Sequence, residues 1–121
     1  MYFSVSYSQT LLINIIGEMG LMSKLERDFQ AGLIKELKKI FEGCLVMKTD
    51  PTYIQGIPDL LILYKDKWAA LEVKRSKNAT KRPNQEYYVN MMNAMSFSKF
   101  ISPENKEDVL NELQQTFFSR R

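Results

Sequence analysis

Hydrophobic positions change their spacing several times along this chain, and each change marks an element. From Ser23 to Phe41, residues Leu25, Phe29, Leu33, Leu37 and Ile40 recur every three or four positions, which predicts an amphipathic helix. Around Cys44 to Lys48 the pattern shortens to that of a strand. Leu60 to Tyr64 and Trp68 to Val73 are nearly unbroken apolar runs separated only by Lys65-Asp66-Lys67. They predict a hairpin whose strands are covered on both faces. Helical spacing returns after Pro83, a residue suited to a first helical turn, with Tyr88, Met91, Met92 and Met95 as the core stripe. Ser98 to Ile101 predicts a short strand. Ser102-Pro103-Glu104 then reads as N-cap, first-turn proline and early acid of a last helix that turns Val109, Leu110, Leu113 and Phe117 inward. The order helix, three strands, helix, strand, helix predicts an α/β domain.

Three polar residues interrupt the hairpin, and they carry its chemistry. Asp59 opens the first strand, and Glu72 and Lys74 close the second. Side chains alternate along a strand, so Glu72 and Lys74 share a face. Asp59 joins them when the bend leaves an even number of residues unpaired, or when a bulge resets the count. Pro-Asp alone is an ordinary turn, and Glu-x-Lys alone is common on wet surfaces; the combination at the ends of two adjoining apolar strands is what is specific. Two carboxylates make a site for a hard divalent cation, and the ammonium beside them can hold an attacking water, which suits phosphodiester hydrolysis. Glu26 projects between Leu33 and Leu37 on the first helix, on the apolar side. It has two readings: a carboxylate favouring the positive end of its helix and reaching water, or a further member of the site.

Composition narrows the chemistry. A chain of 121 residues with 45% hydrophobic content allows one domain with one core. The absence of histidine removes Ser-His-Asp and Cys-His triads and histidine-based zinc sites, leaving carboxylates as ligands. Cys44, the sole cysteine, excludes an internal disulfide; it reads as a buried structural thiol and fits a reducing cytoplasm. A net charge of +3 does not itself demand nucleic acid, but Lys74, Arg75, Lys77, Lys81 and Arg82 crowd just beyond Glu72. That loop is either a solvated connection or a phosphate-binding segment, and its place beside the carboxylates favours phosphate. Gln85 can face the same cleft or sit idle on the surface, and the tyrosines and methionines of the helix after Pro83 read most simply as core, with Tyr87, off the main stripe, able to lie near a substrate. Met22 followed by Ser23-Lys24 reads as a chain start, leaving residues 1–21 as an N-terminal extension or alternative start and 22–121 as the domain. The extension lacks the basic start of a signal peptide, and its apolar cluster from Leu11 to Ile16 is too short to span a bilayer. Its Tyr, Val, Leu and Ile content predicts an added strand or a subunit contact.

On Asp59, Glu72 and Lys74 the chain resembles the PD-(D/E)XK nuclease superfamily. The stretch QGIPDLLILYKDKWAALEVKRS, Gln55 to Ser76, is most similar to its VRR-NUC and Holliday-junction-resolvase-like branch. The likeness runs from about Ser23 to Phe118, outside the motif by element order alone. It implies a restriction-endonuclease-like αβββαβ core with a mixed sheet, here followed by one more helix. It implies Mg²⁺, with Mn²⁺ as substitute, held by Asp59, Glu72 and the Val73 carbonyl. It implies that Glu26 reaches the ion directly or through water or supports a second ion, that Lys74 orients the nucleophile or stabilises the charge of the transition state, and that Arg75, Lys77, Lys81, Arg82 and Gln85 meet DNA. It further implies cleavage to 5′-phosphate and 3′-hydroxyl ends. One site cuts one strand, so cutting both strands of a duplex or branch calls for a two-fold homodimer. A chain this small has no room for a base-reading module, which favours branched or junction DNA over a long specific sequence. Two other classes remain: a non-catalytic nucleic-acid-binding module, and an interaction protein in which Glu72 and Lys74 merely pair at a strand end.

Overall fold

A computed structural model describes residues 7–119. Its elements are α1 (Tyr7–Ile40), β1 (Leu45–Lys48), β2 (Leu60–Tyr64), β3 (Lys67–Val73), α2 (Pro83–Met95), β4 (Phe97–Ile101) and α3 (Lys106–Phe118). This is the order the hydrophobic pattern predicts, and it makes one small α/β domain. The strands form a mixed open sheet ordered β1-β2-β3-β4. The first three are antiparallel, and β4 pairs parallel to β3 after the α2 crossover. No helix among the described residues is long and apolar enough to cross a membrane.

Register explains which residues meet. Leu60, Ile62 and Tyr64 of β2 lie beside Leu71, Ala69 and Lys67 of β3, and Phe97 and Ile101 of β4 continue the same face. That face packs against Leu33 and Leu37 of α1 and Val109, Leu110, Leu113 and Phe117 of α3 to make the core. At the hairpin end the rings of Phe41, Tyr64 and Phe117 meet at 5.0 to 5.6 Å between centroids. The Lys67 ammonium there donates to the carbonyls of Phe117 (3.1 Å) and Ser119 (2.6 Å), satisfying acceptors that the end of α3 leaves unpaired.

The opposite face is only half covered. α2 packs over β3 and β4, so β3 is buried on both sides. Among the described residues nothing comparable lies over β1 and β2, and Leu45, Met47 and Leu63 stay exposed. The expectation that both hairpin strands are covered on both faces therefore holds for β3 and not for β2, because one thirteen-residue helix spans only two strands.

Four other expectations are corrected. Residues 7–21 are helical, an unbroken lead into α1, and not an added strand; residues 1–6 lie outside the described residues. Leu25 and Met95 are exposed, at 53% and 65%, off the core. In α2 the fully buried residue is Val89, off the predicted stripe. Finally, α3 begins at Lys106 with Asn105 as N-cap, three residues after the predicted cap. Ser102 instead donates its N–H to Asn105 Oδ1 (2.7 Å), which spends the segment on a turn before the helix starts.

Candidate active site

The bend between β2 and β3 decides the site. Lys65 and Asp66 are the only unpaired residues, with Lys65 at φ 56°, so the count is even. Leu60 pairs with Leu71, and one more step places Asp59 opposite Glu72. Directly opposed residues of an antiparallel pair project to the same side. Asp59 Oδ2 also accepts the Val73 N–H at 3.0 Å, which fixes the carboxylate against the end of β3. From the other side, Thr49 donates its N–H to the Asp59 carbonyl (3.0 Å) and its hydroxyl to the Pro58 carbonyl (2.6 Å). Asp59 is thus clamped between two neighbouring strands.

Glu72 is 2% exposed. Burial pushes its carboxyl up to about 9, and the adjacent Asp59 adds to the shift by accepting a hydrogen bond from the neutral acid and by charge repulsion. Among the described residues the ion pair is Lys106 with Glu36 at 2.9 Å, remote from this pair, so neither Asp59 nor Glu72 has a basic side chain within salt-bridge distance. Two acids side by side without a paired cation, one of them buried, offer adjacent oxygens on which Lys74 acts only through longer-range charge. A hard cation with oxygen preference fits that donor set. Among the described residues no three acidic, cysteine or histidine side chains converge closely enough to hold an ion by themselves. The Asp59 and Glu72 carboxylates and nearby backbone oxygen are what the protein could contribute to such a shell.

Lys74 is wired away from direct ion pairing. Its N–H bonds the Ile101 carbonyl (2.8 Å), extending the parallel ladder one residue. Its ammonium donates to the Thr80 carbonyl (3.0 Å) and to Gln85 Oε1 (2.7 Å). The same Gln85 oxygen accepts the Arg82 N–H (3.1 Å), as a glutamine at the third position of a helix commonly does. Gln85 therefore caps α2 and holds Lys74 in one contact, and one ammonium proton is left for the cleft.

The loop before Pro58 forms the wall facing this pair. Gly56 sits at φ 91°, and a Cβ there would come 2.4 Å from Asn84 Cβ and 2.9 Å from the Asn84 carbonyl carbon. Only glycine lets the loop lie so close against the first turn of α2. The contact closes a cavity of about 290 Å³ lined by Asp59, Glu72, Gln55, Arg82, Asn84 and Gln85, among others.

Glu26 approaches from α1, which lies on the other side of the sheet. It lines a second cavity with Lys74, Arg75, Arg82 and Gln85. Burial raises its pKa, Asp59 reinforces the rise, and Lys74 and Arg75 oppose it. It is near enough to feel the pair without joining it in a three-acid cluster. The basic loop divides: Arg75 and Arg82 face these cavities, Lys81 lies over the Phe100 ring at 4.6 Å, and Lys77 is exposed, its N–H held by Glu104 Oε2 at 3.1 Å.

Sequence reasoning names the pair, the lysine and Glu26 but misses Thr49, Gly56, Asn84 and Glu104. A glycine two residues before Pro-Asp is a signal for a close backbone approach; the other three act through contacts distant in sequence and leave no local sign. Comparison with protein-family models, with curated proteins and with solved structures returned no match to this chain, so its own residues carry the functional reading.

Proposed function

We propose that this protein is a divalent-metal-dependent endonuclease that hydrolyses phosphodiester bonds in DNA, built on a restriction-endonuclease-like αβββαβ core. One observation carries the reading: the register that sets Asp59 opposite Glu72, with Lys74 two residues further on the same face. Asp59, Glu72 and the Val73 carbonyl would hold Mg²⁺ or Mn²⁺. When bound, such an ion supplies charge that polarises a phosphate and makes a water more acidic. Lys74, held by Gln85 and Thr80, aims its remaining proton at the attacking water or at the phosphate oxygens as their charge grows. Glu26 stands one layer out, able to accept a proton or a hydrogen bond from solvent in the cleft. Arg75 and Arg82 receive the scissile phosphate and its neighbours, and Lys77 and Lys81 extend the basic surface outward, supplying placement without reading sequence. Cleavage leaving 5′-phosphate and 3′-hydroxyl ends, a preference for branched or junction DNA, and a two-fold homodimer complete the proposal. The exposed Leu45, Met47 and Leu63 are a surface such a dimer could cover.

The test is cleavage of labelled single-stranded, duplex, flap and four-way DNA with Mg²⁺, beside Asp59→Asn. Metal-dependent cutting by the wild type and none by the variant is expected; equal activity in both ends the proposal, and equal cutting of linear and branched DNA ends its junction clause. The absence of a three-acid cluster among the described residues favours one second reading, a non-catalytic nucleic-acid-binding module. Mn²⁺ titration separates the two, since only the catalyst needs an ion bound through Asp59 and Glu72.

A further inference from the structure

The candidate cavity does not end at Arg82. Gln55 and Asn84 also line a neighbouring, open cavity of about 380 Å³, completed by Pro83, Tyr87 and Tyr88. Tyr87 is 61% exposed, and Tyr88 stands edge-on to it, with ring centroids 5.1 Å apart and planes at 82°. This geometry braces the Tyr87 ring and leaves most of it open to solvent. The core gains little from it, since α2 seats itself through Val89 on the sheet. Large exposed aromatic surface beside a pocket lined by Arg82 is the composition of a nucleic-acid stacking platform. A continuous duplex stacks its bases on one another and offers no base to such a ring; an unpaired nucleotide does. The amides of Gln55 and Asn84, at the seam between the cavities, can hydrogen-bond the sugar or base edge that joins the two positions.

We propose that Tyr87, braced by Tyr88, stacks an unpaired nucleobase flanking the phosphate that Arg82 receives beside Asp59 and Glu72, making the substrate a DNA with single-stranded nucleotides at the cleavage point. This rests on the nuclease reading and gives its structure preference a physical source. The test is fluorescence anisotropy of the full chain in Ca²⁺ buffer with three probes: a blunt duplex, the same duplex with a thymidine flap, and that flap with an abasic site at the branch. Wild type should favour the thymidine flap. Tyr87→Ala should lose about 5- to 150-fold on that flap and nothing on the blunt duplex, Tyr87→Phe should bind as wild type, and the abasic flap should bind wild type as weakly as the variant binds thymidine. Equal loss on flap and duplex, or a Tyr87→Phe defect as large as that of Tyr87→Ala, overturns the proposal. So does a change of oligomeric state in Tyr87→Ala on size-exclusion chromatography, which would mark a subunit contact. The two readings fail separately. Mg²⁺-dependent cleavage with unchanged flap binding in Tyr87→Ala sinks the stacking shelf alone, and Tyr87-dependent flap binding without any cleavage sinks the nuclease alone.

Discussion

Glu72→Gln should make the metal-free protein more stable, although it removes a central residue of the candidate site. In the folded chain the Glu72 carboxyl is raised from 4.5 to about 9 by burial and by Asp59. The fold therefore keeps a proton that the unfolded chain releases, and stability falls as pH rises from about 4.5 to about 9. Near pH 7.5 roughly three pH units of that window have been crossed. At about 1.4 kcal/mol per unit, less an allowance for relaxation around the charge, the cost is on the order of 2–4 kcal/mol. Glutamine keeps the shape, never ionises, and donates its amide to Asp59 as the neutral acid does. Thermal unfolding in EDTA should place the variant about 10 °C above wild type near pH 7.5, with the gap closing towards pH 5. Saturating Mg²⁺ should narrow it from the other side, since ion held at about a hundred times its dissociation constant stabilises wild type by roughly 2.7 kcal/mol and the variant lacks a ligand. A variant no more stable than wild type, or a gap that persists unchanged in acid, would refute the reasoning.

Lys74→Ala should abolish turnover on flap DNA while changing its binding less than about fivefold, measured by single-turnover cleavage beside anisotropy in Ca²⁺, because in the proposed mechanism the residue acts on developing charge more than on the ground state. Gly56→Ala meets the Asn84 backbone and a positive φ together and should cost about 1–3 kcal/mol in denaturant unfolding, with cleavage falling as the loop lifts off α2. Phe41→Ala, at a fully buried ring touching Tyr64 and Phe117, should cost about 3–5 kcal/mol by the same measurement and leave metal binding in the folded fraction intact. Cys44 is half-buried, its thiol pKa is raised chiefly by burial, and it donates to the Leu37 carbonyl at 3.7 Å; a disulfide exchange reagent near neutral pH should react much faster after unfolding than before.

Much of this architecture is legible in the chain because its hydrophobic spacing is clean. β2 and β3 read directly from their unbroken apolar runs, and α3 from a stripe whose four residues are all buried. Asp59, Glu72 and Lys74 stand out because charge in such runs needs a reason, and alternation alone puts two of them together. Their union with Asp59 depends on the two-residue bend, which local sequence limits but does not decide. What escapes is set by contacts between distant segments. Met95 fits the α2 stripe by spacing but is left exposed. The true register of α2, through Val89, is chosen by where β3 and β4 present their surface. Asn105 takes the cap of α3 from Ser102 through a turn that the Ser-Pro-Glu pattern does not disclose.

The bond from the Lys74 N–H to the Ile101 carbonyl, and Glu104's grip on the Lys77 N–H, tie Lys74 to the segment that enters α3. None of the proposed chemistry comes from the stretch between Ile101 and Glu104, yet it fixes the backbone from which the ammonium is aimed. A mutational survey scored only by turnover would rank Glu104 beside the acids, and only a parallel reading of metal affinity would tell the anchor from the tool.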